Sequence, residues 1–228
     1  MRCCLLSSTN ASVARHVWAN DDRFKECLAL VIADRECGAL QFAIDKGIHH
    51  VLIKETDPLA LSNQIIATLE THQIDYTFCF LTRLLKGAIC HTAGDTIFNF
   101  HPSLLPACPG MRGFEESIRS TALFIGSTVH LINEMMDGGK IVMQSIVPAG
   151  PINRDSRALR HSIFLHQCAQ LLQLIIWLGA RRFQVSPHSA LVTGGDYSGL
   201  SLHCPALEDK RCLEMACGGA GMSRVLVP

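Results

Sequence analysis

The chain has no net charge, because its 20 lysine and arginine residues are balanced by 20 aspartate and glutamate residues over 228 positions. Such a chain has no general field that attracts nucleic acid or an anionic membrane, and we expect neither as a partner. It also lacks an unbroken apolar run near the roughly 18 residues that cross a membrane, since the best candidate, 171–180, is interrupted by Gln173. The apolar run near the start is too short for the core of a signal peptide. We therefore expect a soluble, cytoplasmic protein.

The eleven cysteines contain no Cys-x-x-Cys pair, and their number is odd and their spacing irregular. A disulfide framework or a compact zinc site would show regular pairs. Cys3, Cys4 and Cys79 lie in apolar runs, where a free cysteine behaves as a small hydrophobic residue. We expect reduced, structural thiols and no bound metal.

Short apolar runs alternate with helical patterns through the first part of the chain. The pattern predicts strands at 2–6, 28–33, 50–54 and 76–81 and helices at 11–19, 37–46 and 58–72. Strands separated by helices of this length pair in parallel through right-handed crossovers. The fold class predicted is α/β, with a Rossmann-like, doubly wound, mostly parallel sheet.

The pattern changes in the second part of the chain. Strands predicted at 126–133 and 141–147 are joined by a short Asp-Gly-Gly connection, so we expect an antiparallel extension of the sheet. One long helix is predicted at 156–179. We predict a single domain over 1–200, followed by an irregular tail over 201–228.

The most informative stretch, TIFNFHPSLLP at 96–106, ends a short apolar strand. Asn99 and His101 project to the same face, because side chains alternate along a strand, and Pro102 ends that strand. Ligands of open α/β sheets bind at the carboxyl ends of strands. With Asp137 on a glycine turn further on, these residues make a plausible acyl-transfer site. Each of them alone also suits an ordinary strand end or turn.

The segments NFHPSLLP, from Asn99, and STVHLINEMMDGG, from Ser127, resemble the two signatures of the folate-dependent formyltransferases. Their order and spacing are most similar to those of the glycinamide ribonucleotide formyltransferases of purine biosynthesis. The resemblance implies a one-carbon transferase that uses 10-formyltetrahydrofolate as co-substrate and formylates the amine of glycinamide ribonucleotide. We expect a monomer or homodimer that acts on small molecules.

The same resemblance assigns catalytic roles to Asn99, His101 and Asp137. The Asn99 amide can donate to the oxyanion, and His101 can carry the proton. Asp137 beside that imidazole would favour its charged form or order a relay water. His130, between the two motifs, is open to two interpretations, as a support of the site or as an ordinary core histidine.

Binding residues are implied in three regions of the chain. Folate contacts are implied for Thr82, Arg83, Leu84, Leu85, Ile97, Asn133, Glu134 and Met136. Acceptor and phosphate contacts are implied for Ser8, Thr9, Asn10, Ala11, Ser12, Pro102 and Gln167. These sets divide the predicted domain into an acceptor-binding half, 1–95, and a catalytic and folate-binding half, 96–200.

Three departures from the family pattern concern the acceptor. The first loop, at 7–12, has no glycine, and Asn10 is the residue expected to tolerate a left-handed conformation there. Gln167 stands where the family has a glutamate, and Met111-Arg112-Gly113-Phe114 replaces a histidine-bearing loop. Two alternatives therefore stay open. One is a formyltransferase for another amine, such as an amino sugar nucleotide, and the other is a non-catalytic folate- or nucleotide-binding protein.

Overall fold

The computed structural model describes residues 1–150, 155–199 and 201–218. The chain forms two compact units that alternate along the sequence. The first unit contains Met1–Phe100 and His130–Lys140, and the second contains His101–Val129 and the residues from Ile141 onward. The predicted halves, 1–95 and 96–200, divide the chain differently and stay a prediction.

The first unit is built around parallel strands. They are β1 (Cys3–Ser7), β2 (Leu28–Ala33), β3 (His50–Leu52), β4 (Tyr76–Phe80) and β5 (Ile97–His101). Their order is β5-β4-β1-β2-β3, and the pairs β1–β2, β1–β4, β2–β3 and β4–β5 are parallel. This is the strand order of a Rossmann-like sheet, so the predicted fold class is confirmed.

Helices connect these strands. Three lie at the predicted places, α1 (Ser12–Asn20), α3 (Gly38–Lys46) and α4 (Pro58–Thr71), and two were not predicted, α2 (Asp22–Cys27) and the short α5 (Ile89–Thr92). The start of α4 is set by Pro58 at its first turn and by the Asp57 side chain, which accepts from the Ala60 N–H. Helix α3 ends at Gly47, whose left-handed conformation (φ 66°) suits glycine.

The strands of this unit are nearly continuous hydrophobic runs in the sequence because they lie inside its apolar core. Every residue of β1 is buried between its two parallel neighbours. Leu6, Ile32, Leu61 and Ile65 belong to one fully buried cluster that joins the sheet to α4.

The second unit contains the antiparallel extension and the long helix. Its elements are α6 (Gly113–Arg119), β6 (Phe124–Leu131), β7 (Ile141–Pro148), α7 (Ser156–Gly179), β8 (Phe183–Val185), β9 (Ala190–Val192), β10 (His203–Cys204) and α8 (Lys210–Ala216). The strand order is β10-β7-β6, with β10 antiparallel to β7, and β8 pairs antiparallel with β9. Helix α7 has the bounds that the sequence predicted.

Helix α7 has the length and apolar composition that a membrane-spanning helix needs, with a mean hydropathy of 1.3 over its best window. However, 72% of that window is buried inside the structure. A core helix has the same composition, so this feature by itself is weak evidence of a membrane span.

The prediction of an irregular tail over 201–228 is wrong for its described part. Strand β10 and helix α8 lie there, and Cys212 and Met215 of α8 are buried. The Asp209 side chain caps the helix at the Arg211 N–H, and the Gln173 side chain on α7 accepts from the N–H of Asp209 at 3.1 Å. A helix of two turns has too few apolar positions to show a clear period, so packing against α7 decides its structure. Residues 219–228 lie outside the described residues.

Candidate active site

The end of β5 carries His101, which is held by its own loop. His101 is only 5% exposed, and its Nε2–H donates to the carbonyl oxygen of Cys108 at 2.9 Å. The Ser103 hydroxyl reaches the same carbonyl at 2.9 Å. Because Nε2 carries the proton in this bond, Nδ1 is the nitrogen that can accept or release a proton without breaking it.

Gly113 makes this arrangement of His101 possible. A β-carbon at position 113 would lie 2.5 Å from His101 Nε2 and 2.7 Å from the Cys108 carbonyl oxygen. Real β-carbons do not approach other atoms that closely, so only glycine fits against the imidazole. Cys108 has a left-handed backbone (φ 53°), which turns the loop back towards the histidine.

Asn99, His130 and Asp137 form a bonded cluster in the first unit. Asn99 Nδ2 lies 3.0 Å from His130 Nε2, and Asp137 Oδ1 lies 3.5 Å from the same nitrogen. His130 Nδ1 is 2.8 Å from the Leu131 carbonyl, so Nδ1–H donates there. In the neutral ring Nε2 therefore accepts from the Asn99 amide, and in the charged ring it faces the Asp137 carboxylate.

This cluster bears on the two interpretations of His130, as a support of the site or as an ordinary core histidine. The imidazole is 3% exposed, as a core residue would be, yet it contacts two of the three residues predicted to be catalytic. The sequence placed Asp137 beside the ring of His101. Within the first unit, Asp137 contacts the ring of His130, and its predicted place beside His101 stays a prediction.

The glycine turn places Asp137 and is held by Asn133. Asp137 itself is left-handed (φ 52°), and a β-carbon at Gly139 would collide with the Leu131 carbonyl oxygen. The Asn133 amide donates to the Gly138 carbonyl at 2.9 Å, and its Oδ1 accepts from the Met135 N–H at 3.0 Å. Asn133, predicted to bind folate, therefore has a structural partner at both ends of its side chain.

The other residues predicted to bind folate lie in several environments. Ile97 and Leu85 belong to the buried apolar core, with 0% and 5% exposure. Glu134 is exposed and pairs with His91 at 3.1 Å, while Met136 is 49% exposed and Leu84 is half-buried. Folate contact at these positions stays a prediction.

The loop between β1 and α1, predicted to bind the acceptor's phosphate, is shaped by side-chain contacts instead of glycines. Ser7 Oγ accepts from the Thr9 N–H at 3.1 Å, and Arg15 Nε donates to the Asn10 carbonyl at 3.0 Å. A β-carbon at Gly38, on α3, would lie 2.9 Å from the Asn10 Cα. The glycine that lets α3 approach the loop this closely therefore lies outside the loop. The N-cap of helix α1, Ala11, makes no side-chain hydrogen bond to the first turn.

The residue in the left-handed conformation is Ala11 (φ 52°, ψ 37°), so the expectation for Asn10 is wrong. Alanine in this region costs about 1–2 kcal/mol.

We expect Ala11→Gly to raise the free energy of unfolding by about 0.5–1 kcal/mol, measured by urea denaturation. Ala14→Gly, inside α1, is the matched control and should lower that free energy by about 1 kcal/mol. Equal losses in both variants would contradict the conformation of Ala11.

The remaining predicted acceptor residues lie in the second unit. Pro102 follows β5 and is half-buried, and Gln167 is half-buried on α7. Arg112 is exposed, with its Nε 3.9 Å from Glu116 on the same helix. Among the described residues, no group of three or more His, Cys, Asp or Glu residues is arranged to hold a metal ion.

Sequence reasoning missed a pair of buried histidines in the second unit. His166 on α7 and His203 on β10 stack with ring centroids 4.7 Å apart and are 6% and 5% exposed. Burial lowers the pKa of His166 to about 4. Burial, together with the charge of His166, lowers the pKa of His203 to about 3. Both rings are therefore neutral at physiological pH.

Comparison with known proteins agrees with the fold and with the family that the sequence resembles. A family model described as formyl transferase matches residues 1–173, and the chain belongs to that family.

Two curated relatives are named phosphoribosylglycinamide formyltransferase. The chloroplastic protein of Vigna unguiculata is 34% identical over 128 residues, which is 52% of this chain and 41% of that protein. The protein of Bacillus subtilis (strain 168) is 34% identical over 89 residues, which is 39% of this chain and 46% of that protein. The matched part thus spans less than half the length of these relatives.

A solved structure shares the fold along most of the chain. Glycinamide ribonucleotide transformylase 1 from Symbiobacterium toebii superposes with a TM-score of 0.75 at 22% identity, over 85% of this chain and 94% of that one. At this level of identity the likeness establishes the fold.

Proposed function

We propose that this protein transfers a formyl group from 10-formyltetrahydrofolate to the amine of glycinamide ribonucleotide, a step of purine biosynthesis. Membership of the formyl transferase family and the names of the relatives support this proposal. The observation that carries it is the bonded cluster of Asn99, His130 and Asp137, with Asn99 two residues before His101 on β5.

The chemistry assigns a task to each side chain. The acceptor amine attacks the formyl carbon, the carbon–N10 bond of the folate breaks, one proton leaves the amine and one reaches N10. The Asn99 amide has two N–H donors, and His130 takes one of them, which aims the other at the developing oxyanion. His101 Nδ1 and the Asp137 carboxylate are the groups that can move the proton.

An alternative acceptor is supported by the loop between β1 and α1. The hydroxyl groups of Ser7 and Ser8 are engaged inside the protein, with Thr9 and Thr82, and Ala11 stands at the left-handed position. An amino sugar nucleotide is the example that fits a differently shaped phosphate loop. A non-catalytic binding protein is the third hypothesis, and the cluster around Asn99 disfavours it.

The test is release of folate product from a 10-formylfolate donor, followed by absorbance with and without glycinamide ribonucleotide. We expect acceptor-dependent turnover that falls by about 100-fold or more in His101→Ala, since general acid–base groups contribute about that much. His188→Ala, an exposed histidine, is the matched control and should retain wild-type turnover.

Three outcomes would count against this assignment. Donor binding without turnover on glycinamide ribonucleotide would point to another amine. Turnover that needs no amine would indicate hydrolysis, and ligand binding with no turnover on any amine would indicate a binding protein. We also propose, from the sequence, that the protein acts in the cytoplasm on small molecules as a monomer or homodimer.

A further inference from the structure

Asp34 is a buried carboxylate with no role in the chemistry described above. It follows β2, and its side chain has 0% exposure. The Arg35 guanidinium grips it with two bonds, Nε to Oδ1 at 3.2 Å and Nη2 to Oδ2 at 2.9 Å. A carboxylate this far from water needs such partners to stay charged.

The Ser8 hydroxyl is one of the groups that lower the pKa of the same carboxyl group. Ser8 Oγ in turn accepts from the Thr82 N–H at 3.0 Å. Ser8 is therefore joined to Thr82 by a hydrogen bond and interacts with the charge of the Asp34 carboxylate.

Arg83 adds a second connection. Its Nη1 lies 3.8 Å from Asp34 Oδ2, and its Nη2 donates to the Thr56 carbonyl at 2.6 Å. Nη1 also donates to the Glu55 carbonyl. Arg83, predicted to bind folate, is therefore occupied in fastening the segment after β3 to the segment after β4.

The charge state of Asp34 suits this role. Burial by itself would raise the pKa of its carboxyl group, but hydrogen bonds from Arg35 and Ser8 and the nearby guanidinium charges outweigh burial and hold that pKa below its usual range. The group is therefore ionised at neutral pH.

We propose that Asp34 is a positioning residue that couples the acceptor loop, Ser8 and its neighbours, to the folate segment that begins at Thr82. The inference rests on the proposed function, which makes these two segments the binding regions for the two substrates. In this proposal the buried Asp34 carboxylate holds the two binding regions in a fixed position relative to each other.

The first test compares steady-state kinetics of wild type, Asp34→Ala and Asp34→Asn. In Asp34→Ala we expect KM for donor and acceptor each to rise by about tenfold, with kcat at saturation changed much less. Asp34→Asn keeps the size of the side chain but loses the attraction of both guanidinium groups, so its KM values should lie between those of wild type and Asp34→Ala. Glu36→Ala, which removes an exposed carboxylate two residues away, is the matched control and should change neither KM.

The second test reads the coupling without substrates, by amide hydrogen exchange at Thr82. Exchange at this amide should be at least about tenfold faster in Asp34→Ala than in wild type or Glu36→Ala. A rise in KM for one substrate only, or a lower melting temperature with unchanged KM values, would overturn the proposal. Unchanged protection of Thr82 would overturn it as well. Absence of wild-type turnover with these exchange rates as expected would refute the proposed function and leave the coupling through Asp34 standing.

Discussion

Replacing Asn99 by alanine is expected to lower kcat of the proposed formyl transfer by about 100- to 1,000-fold, the usual loss when one preorganised oxyanion donor is removed. The amide is held by His130, which is itself fixed by the Leu131 carbonyl. The donor therefore needs little reorganisation when charge develops on the formyl oxygen. KM for either substrate should change much less, because the oxyanion is absent from the ground state.

Steady-state release of folate product measures this effect. Asn63→Ala, an exposed asparagine on α4, is the matched control and should behave as wild type. His130→Phe should give a smaller loss, since Asn99 would keep its amide but lose the partner that orients it. A value of kcat in Asn99→Ala within threefold of wild type would show that this amide does not stabilise the transition state.

Acidification from pH 8 to pH 5 is expected to reduce the free energy of unfolding by about 4 kcal/mol through the stacked histidines, about 2 kcal/mol for each ring. The pKa values of about 4 for His166 and about 3 for His203 lie below the usual value for an unfolded chain. The unfolded state therefore binds more protons below about pH 6.5. This stability is complete above that pH and is lost as the pH falls towards the folded pKa values.

Urea unfolding at the two pH values, followed by tryptophan fluorescence, tests this expectation. The two tryptophans, Trp18 and Trp177, lie in different units, so a Trp18→Phe background leaves Trp177 on α7 to report on the second unit. The double variant His166→Leu, His203→Leu should lose most of the pH dependence between pH 8 and pH 5. His49→Gln is the matched control, because the His49 ring also contacts a histidine ring, that of His72, but His49 is exposed. A wild-type curve that is flat over this interval would show that the pair is not buried as described.

The sequence predicted those parts of the fold in which local pattern and tertiary packing agree. Strand β2 and helix α7 have the predicted bounds, because both are long enough for burial to impose a clear apolar pattern. Helix α2 was missed because six residues cannot display a helical period, although Asp21 caps it at the Arg23 N–H. Strands β8 and β9 have three residues each and pair with one another, too short a length to show an alternating pattern.

In the candidate site, residue types could be predicted and partners could not. The motif around Asn99 pointed to the end of β5, but the contact of Asn99 with His130 joins residues 31 positions apart. The bond from Thr82 to Ser8 spans 74 positions, and no local pattern encodes it. Ile97 stays a predicted pocket wall, because an apolar residue in a strand looks the same in sequence whether it faces a ligand or the core.

Gly113 has a consequence for how mutational scans of this protein should be interpreted. Every other amino acid carries a β-carbon, and that carbon would occupy the space of the His101 ring. The neighbouring Met111 is 63% exposed, so substitutions there meet solvent. If substitutions abolish activity at position 113 but are tolerated at 111, the scan reports the space that the His101 ring needs. Position 113 has no functional group of its own.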